Sequence, residues 1–381
     1  MNIDDLLERV VAEGASDGFI SAGACPSIKV DGSLFPIRET PLTAEEAREL
    51  VLSTMDEEQQ SYFLKHHEYN FAIGREGLGR FRVSCFQQRG ECGLVLRRIV
   101  TEIPTVDELG LPPIIKELAM TKRGLVVFVG ATGTGKSTSL ASMVGYRNHN
   151  SRGHIITIED PIEYMHNHGS CIVTQREVGV DTESFDVALK NTLRQAPDVI
   201  LIGEVRTAET MMQALTFAET GHLCLCTLHA NNANQALDRI LSFFPPEHHS
   251  QIWMDLSLNL KSMVAQQLLP RKDGNGRTPV VEVLLNTPLV EDYIRKGEVH
   301  LIKDLMSKST ELGMQTLDQS LTKAYKEGLI TKEDAIRYAD SANDVRLAIK
   351  MFERGQFGGS SDDFSLSFED KEDGGQFMGR T

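Results

Sequence analysis

The sequence predicts an α/β fold: a small mixed α+β module, then a larger module in which helices alternate with buried parallel strands and which closes in a helical part. Three observations lead to this reading. Beyond Gly124, short continuous apolar runs recur between stretches of helical spacing. A glycine-rich turn lies where the first of these runs meets a helix. Ahead of Gly124 the pattern is that of alternating, half-buried strands.

The elements follow in order. Leu6, Leu7, Val10 and Val11 repeat at helical spacing, and residues 27–34 read as a hairpin around the turn Asp31-Gly32. Helices are expected at 44–52 and 57–64, and strands at 79–86 and 93–99. Prolines between 104 and 113 mark an interdomain linker. The first domain therefore spans 1–100, the linker 101–115 and the second domain 116–354. In the second domain, strands are expected at 125–129, 154–158, 199–202 and 223–228, with helices at 138–146, 185–194 and 208–219 between them. Runs this apolar suit strands buried on both faces of a parallel sheet, whose ligands lie at the carboxyl ends. Further helices are expected at 233–244, 250–269, 315–327 and 332–340. Residues 355–381, acidic and poor in apolar side chains, predict a disordered tail.

Composition narrows the function classes. A chain of 381 residues, 41% apolar and 24% charged, has material for two globular cores. Its net charge of -15 argues against nucleic acid as a partner and against a body spread on anionic lipid. No apolar run reaches bilayer-crossing length and the first residues are acidic, so the expectation is a cytoplasmic protein with no direct membrane insertion. Six cysteines form no C-x-x-C pair; Cys224 and Cys226 read as small core residues of a strand, with a two-ligand metal half-site as the alternative.

The chemistry concentrates in the second domain. Gly130-Ala131-Thr132-Gly133-Thr134-Gly135-Lys136-Ser137 is a complete G-x-x-x-x-G-K-[ST] match, extended here to Thr138. Such glycines let the backbone N–H groups curl around phosphate oxygens at the positive end of a helix. Lys136 would then meet the β- and γ-phosphates of ATP, and Ser137 would ligate Mg²⁺. The apolar run ending in Gly203-Glu204 delivers Glu204 as a carboxylate for the metal; the bland reading is a surface ion pair with Arg206. Glu159, Asp160 and Glu163 lie beyond another strand where Pro161 ends regular structure, and Glu163 is the preferred water-activating carboxylate, against a solvated acidic turn. His222 and His229 bracket a buried strand, either reporting on the γ-phosphate or serving as structural histidines. Arg80, Arg82 and Arg97 on first-domain strands are either charge-stabilising fingers or a solvated face.

These motifs in this order resemble the type II and type IV secretion ATPases, and among them the twitching-motility (retraction) ATPases of type IV pili, the PilT/PilU family. The likeness rests on residues 130–137, the acidic box at 156–164, Gly203-Glu204-Val205-Arg206, the histidine box at 221–229 and Leu312-Gly313-Met314-Gln315-Thr316-Leu317-Asp318-Gln319, and spans 1 to about 350. It implies a PAS-like first domain, a RecA-like ATPase domain and a homohexamer. It also implies catalytic roles for Glu163, Glu204 and Lys136, nucleotide contact by His222, His229, Arg80, Arg82 and Arg97, and a metal site at Ser137 and Glu204. Two departures, Gly18-Phe19-Ile20 after Ala15-Ser16-Asp17 and the run Val290-Glu291-Asp292-Tyr293-Ile294-Arg295, together with the tail, resemble the accessory, PilU-like branch.

What the resemblance implies is an ATP-hydrolysing, Mg²⁺-dependent motor accessory to pilus retraction. It would sit peripherally at the inner membrane through the pilus machinery, with the retraction ATPase PilT and the membrane platform protein as partners. The competing readings are a pilus extension or type II secretion ATPase, a regulatory module whose nucleotide site only signals, and a nucleic-acid translocase on the same core.

Overall fold

The computed structural model describes residues 1–30, 32–99 and 102–356. Asp31 of the expected turn, the first residue of the expected linker and residues 357–381 of the expected tail lie outside these.

The first module is a six-stranded antiparallel sheet in the order β3-β2-β1-β6-β5-β4. Its strands are β1 (Asp17–Ser21), β2 (Ser27–Val30), β3 (Ser33–Pro36), β4 (Glu68–Arg75), β5 (Gly79–Gln88) and β6 (Glu91–Arg98). Three helices accompany it: α1 (Ile3–Ala12), α2 (Ala44–Leu52) and α3 (Glu57–His66). Each begins with a reciprocal capping box, Asn2 with Asp5, Thr43 with Glu46 and Asp56 with Gln59, which satisfies amide groups the first turn leaves over. Leu6, Leu7 and Val10 of α1 share one buried core with Leu94 and Leu96 of β6 and with Phe81, Val83 and Cys85 of β5. Strand alternation then turns Arg80 and Arg82 to the opposite face.

Gly18 of β1 is explained by this packing. A Cβ there would stand 3.0 Å from Leu96 Cδ1 and 3.2 Å from Val10 Cγ2.

The second module is a seven-stranded sheet in the order β13-β12-β7-β11-β10-β8-β9. It comprises β7 (Gly124–Val129), β8 (His154–Glu159), β9 (Ile172–Glu177), β10 (Val199–Ile202), β11 (Leu223–Leu228), β12 (Leu260–Pro270) and β13 (Arg277–Leu285). All pair in parallel except β13, which runs antiparallel to β12. The remaining helices are α4 (Ile114–Ala119), α5 (Lys136–Asn150), α6 (Phe185–Thr192), α7 (Ala208–Glu219), α8 (Ala233–Leu241), α9 (His249–Asn259), α10 (Pro288–Lys296), α11 (Ile302–Lys308), α12 (Leu317–Lys326), α13 (Lys332–Arg337) and α14 (Ala342–Gln356).

β7 divides the core. Leu125, Val127 and Val129 face one layer with residues of α7, α8 and α9, while Val126 and Phe128 face Leu140, Met143 and Val144 of α5. Val106 and Leu111, from the stretch read as linker, are buried in that second layer. Helices α12, α13 and α14 close around Leu269 and Val280.

One expectation is overturned. Residues 250–269 do not form a single helix: α9 ends at Asn259 and Leu260 opens β12. The segment Leu-Lys-Ser-Met-Val-Ala-Gln-Gln-Leu-Leu is rich in good helix formers, but it fits a long slot between β7 and β13, where pairing on both edges outweighs a small local preference. Strands β1, β4, β9 and β13 were not marked by the sequence pattern.

Candidate active site

Four strands of the parallel sheet end at one edge, and the chain leaving each brings a polar group to it. From β7 comes the glycine-rich loop. Gly130 has φ 156° and a Cβ there would strike Thr134 Oγ1 and Gln266 O at 2.5 and 2.6 Å, so the loop closes on itself only because the side chain is missing. Gly135, at φ 84°, is the residue before α5. Lys136 is the first residue of α5 and is buried; its Nζ donates to Gly130 O and Ala131 O, each at 2.8 Å. Burial pulls its pKa down, and the facing Glu204 and Glu163 carboxylates work against that.

Thr132, Gly133, Lys136 and Ser137 line a cavity of about 250 Å³ together with Glu163, Glu204 and His229. Glu204 follows β10. Its Oε1 faces His229 Nε2 at 3.0 Å and its Oε2 accepts from Arg206 Nη2 at 2.6 Å. The ion pair with Arg206 anticipated as the bland reading is present, and it lies inside the site rather than apart from it. His229, just past β11, also has Nδ1 3.2 Å from Gly130 O. Both ring nitrogens face acceptors, and a neutral ring donates at only one of them.

Glu159 at the end of β8, and Asp160 and Glu163 beyond it, all line this cavity, but their surroundings differ. Glu159 is half-buried, accepting from Thr157 Oγ1 at 2.6 Å and Gln175 Nε2 at 3.2 Å, and desolvation pushes its carboxyl up. Glu163 is exposed and stands at the cavity. Tyr164 meets the Thr138 hydroxyl at 2.8 Å, which ties the acidic loop to α5 and occupies Thr138 outside the cavity lining.

The other expected residues are placed unequally. His222 is not at the cavity: it precedes β11 while His229 follows it, a separation of roughly 20 Å along an extended strand, and its Nδ1 faces Phe217 O and Thr220 Oγ1. Arg97 pairs with the buried Asp17 at 2.7 Å. Arg80 and Arg82 face Glu177, at the end of β9, whose carboxyl burial pushes up while the Ile162 N–H and the two guanidinium groups draw it back. Glu177 Oε2 accepts that Ile162 N–H at 3.2 Å, so the arginines approach the base of the acidic loop without lining the cavity. Cys224 and Cys226 are fully buried in the core layer with Ile200 and Ile202, and burial pushes Cys226 up to about 12.

Sequence reasoning missed His166, which lines the cavity and is pulled down to about 4 by burial, as well as Glu177 and Gln266. A lone polar residue carries no local signal of the loop it will touch.

The model of the family described as Type II/IV secretion system protein matches residues 2–337. The chain belongs to this family. Among its relatives, the Type IV pilus ATPase PilU of Pseudomonas aeruginosa is 66% identical over 351 residues, 92% of each chain. The Type IV pilus retractation ATPase PilT of the same organism is 41% identical, covering 88% of this chain and 97% of that one. A crystal structure of the pilus retraction motor PilT with bound ADP superimposes with a TM-score of 0.85 at 40% identity, covering 91% of this chain and 99% of that one. Family members alike in fold and sequence over this length share the parallel sheet, and with it the edge at which the cavity lies.

Proposed function

We propose that this chain is an ATPase, working with Mg²⁺ as a hexameric motor of the type IV pilus machinery and accessory to pilus retraction and twitching. The observation that carries the reading is the convergence of Lys136, Glu204 and Glu163 on one cavity behind a complete phosphate loop. The strong identity to PilU and the likeness to an ADP-bound PilT support it. In this reading residues 1–100 are a PAS-like domain, 101–115 a linker, 116–354 a RecA-like ATPase domain and 355–381 an acidic tail.

The residues divide the work. Backbone N–H groups of the loop and the positive end of α5 hold the phosphates, and the Lys136 ammonium offsets their charge. Ser137 and Glu204 are the residues that would hold Mg²⁺. Both offer hard oxygen donors, and among the described residues no cluster of three His, Cys, Asp or Glu side chains competes as a metal site. When bound, Mg²⁺ neutralises charge on the β- and γ-phosphate oxygens. Glu163, exposed at the cavity, takes a proton from the attacking water. Arg206 and His229 hold the Glu204 carboxylate in place. Arg80, Arg82 and Arg97 serve as charge-stabilising fingers in the assembled ring, the first two supported by their approach to Glu177.

No helix among the described residues is long and apolar enough to cross a membrane. The chain acts in the cytoplasm, held at the inner membrane by the pilus machine, with PilT and the membrane platform protein as partners. Phosphate release by the purified protein tests the enzyme: Glu204→Ala should lower turnover by about 100-fold or more, and equal turnover in both proteins would sink the reading. Deleting the gene from a piliated strain tests the role. Retained or excess surface pili with failed twitching is the expected result, and loss of surface pili would point to extension instead.

A further inference from the structure

Strand β12 runs beside β7 and brings an amide to the back of the phosphate loop. Gln266 is 3% exposed, a polar side chain inside the sheet that must find partners there. Its Oε1 accepts from the Ser139 hydroxyl at 2.8 Å, and its Nε2 donates to the Thr134 carbonyl at 2.9 Å. Ser139 lies in the first turn of α5, and Thr134 directly precedes Gly135 at its cap. One amide therefore spans the junction between loop and helix. Two glycines show how close the approach is: a Cβ on Gly135 would stand 2.8 Å from Gln266 Nε2, and one on Gly130 would stand 2.6 Å from Gln266 O.

The partners also explain why the residue is an amide. The position needs an acceptor for Ser139 and a donor for Thr134 at once, which an ionised carboxylate or an ammonium group cannot supply. In a trans peptide the C=O and the following N–H point to opposite sides. Drawing the Thr134 carbonyl toward β12 thus turns the Gly135 N–H the other way, away from Gln266.

We infer that Gln266 is a positioning residue for the nucleotide, its side-chain amide fixing the Thr134–Gly135 peptide so that the Gly135 N–H faces the phosphates. This rests on the reading that the loop binds nucleotide. The residue does not touch the ligand; it acts through the loop.

The test is the affinity of the full-length protein for a fluorescent ADP analogue, measured from pH 5.5 to 8.5. Gln266→Glu has the shape of the native side chain. Protonated, it donates to Thr134 as the amide does; ionised, it sets one acceptor against another. Its dissociation constant should be about tenfold weaker than wild type at the alkaline end and return to within about threefold at the acidic end. Gln266→Leu should be about tenfold weaker at every pH, with no recovery. Arg271, Arg277, Lys323, Glu327, Asp107 and Glu108 are the charged groups that share the neighbouring cavity with Gln266, and no histidine lines it. The wild-type profile measured in parallel removes their contribution.

A wild type that binds the analogue, with both variants equally tight at all pH values, overturns the role of Gln266 alone. A wild type that does not bind overturns the nucleotide reading, and this inference with it. Should both variants fail to fold, Ser139→Ala decides: freeing the amide from its anchor should weaken binding by about threefold, and an unchanged constant overturns the proposal.

Discussion

The two sheets of this molecule dispose of their polar residues in different ways. In the antiparallel sheet β5 alternates between a buried and an open face, so Arg80 and Arg82 stand along its length beside buried Phe81, Val83 and Cys85. In the parallel sheet β7, β10 and β11 are buried at every position and carry no charged side chain, so charged groups beside them stand at the strand ends. Because those strands run the same way, their carboxyl ends share an edge, and Lys136, Glu163, Glu204 and His229 meet there from four separate stretches of chain. A single strand illustrates the rule: His229 at the carboxyl end of β11 enters the cavity, whereas His222 at the other end bonds only to its own neighbourhood. Parallel pairing makes a site; antiparallel pairing makes a surface.

Within the cavity, two acids can be compared: Glu159 at the end of β8 and Glu163 on the loop beyond it. Glu163→Gln should lower turnover on the order of 1,000-fold with folding intact, while Glu159→Gln, a near-isosteric change of a half-buried carboxyl already bonded to Thr157 and Gln175, should lower it far less. Steady-state phosphate release measures both, and equal losses would break the distinction between the exposed acid and the one held by Thr157 and Gln175.

Glu282 of β13 tests the rule at a neighbouring strand, a carboxyl buried inside the sheet region. It accepts the Ala233 N–H at the start of α8 at 2.7 Å, and burial, helped by Asp340 and opposed by the Ala233 N–H and Lys303, pushes it up to about 7 from 4.5. The folded state therefore holds its proton more tightly than the unfolded chain does. Its contribution to stability is complete below about pH 4.5 and is lost as pH rises through about 7, in all up to about 3 kcal/mol. Melting temperature should fall between pH 5 and 8 in the native protein, and Glu282→Gln should flatten that slope. A slope the variant leaves untouched would place the titrating group elsewhere.

In the antiparallel sheet the expected effect is smaller and purely structural. Gly18→Leu would press a side chain into Leu96 and Val10 and cost about 2 kcal/mol, read as a lower unfolding midpoint, with turnover per folded molecule unchanged. A loss of turnover without a loss of stability would show that this face of the first module reports to the site.

Much of this was legible in the chain. The phosphate loop is local in sequence, and the continuous apolar runs of β7, β8, β10 and β11 announce strands with two buried faces. Glu204 and Glu163 were readable because each lies just past such a run. β12 was not, since Leu, Met, Ala and Gln favour a helix and only the slot between β7 and β13 makes them a strand. Gln266 went unnoticed for the same reason, as did Glu177, whose meaning depends on Ile162 and on two arginines from the other module.

By itself the sequence determined what depends on neighbours along the chain: the loop that curls around phosphates, the capped helices, and the strands too apolar to face water. Tertiary structure alone decided which polar residues share a cavity, that His229 enters it and His222 does not, that Glu159 is held by Thr157 and Gln175 while Glu163 is open, and that an amide from β12 braces the loop. The physical reason is range. Backbone preference and hydrophobic period act over a few residues, whereas desolvation, hydrogen-bond partnership and strand pairing are settled by groups that only the completed fold brings into contact.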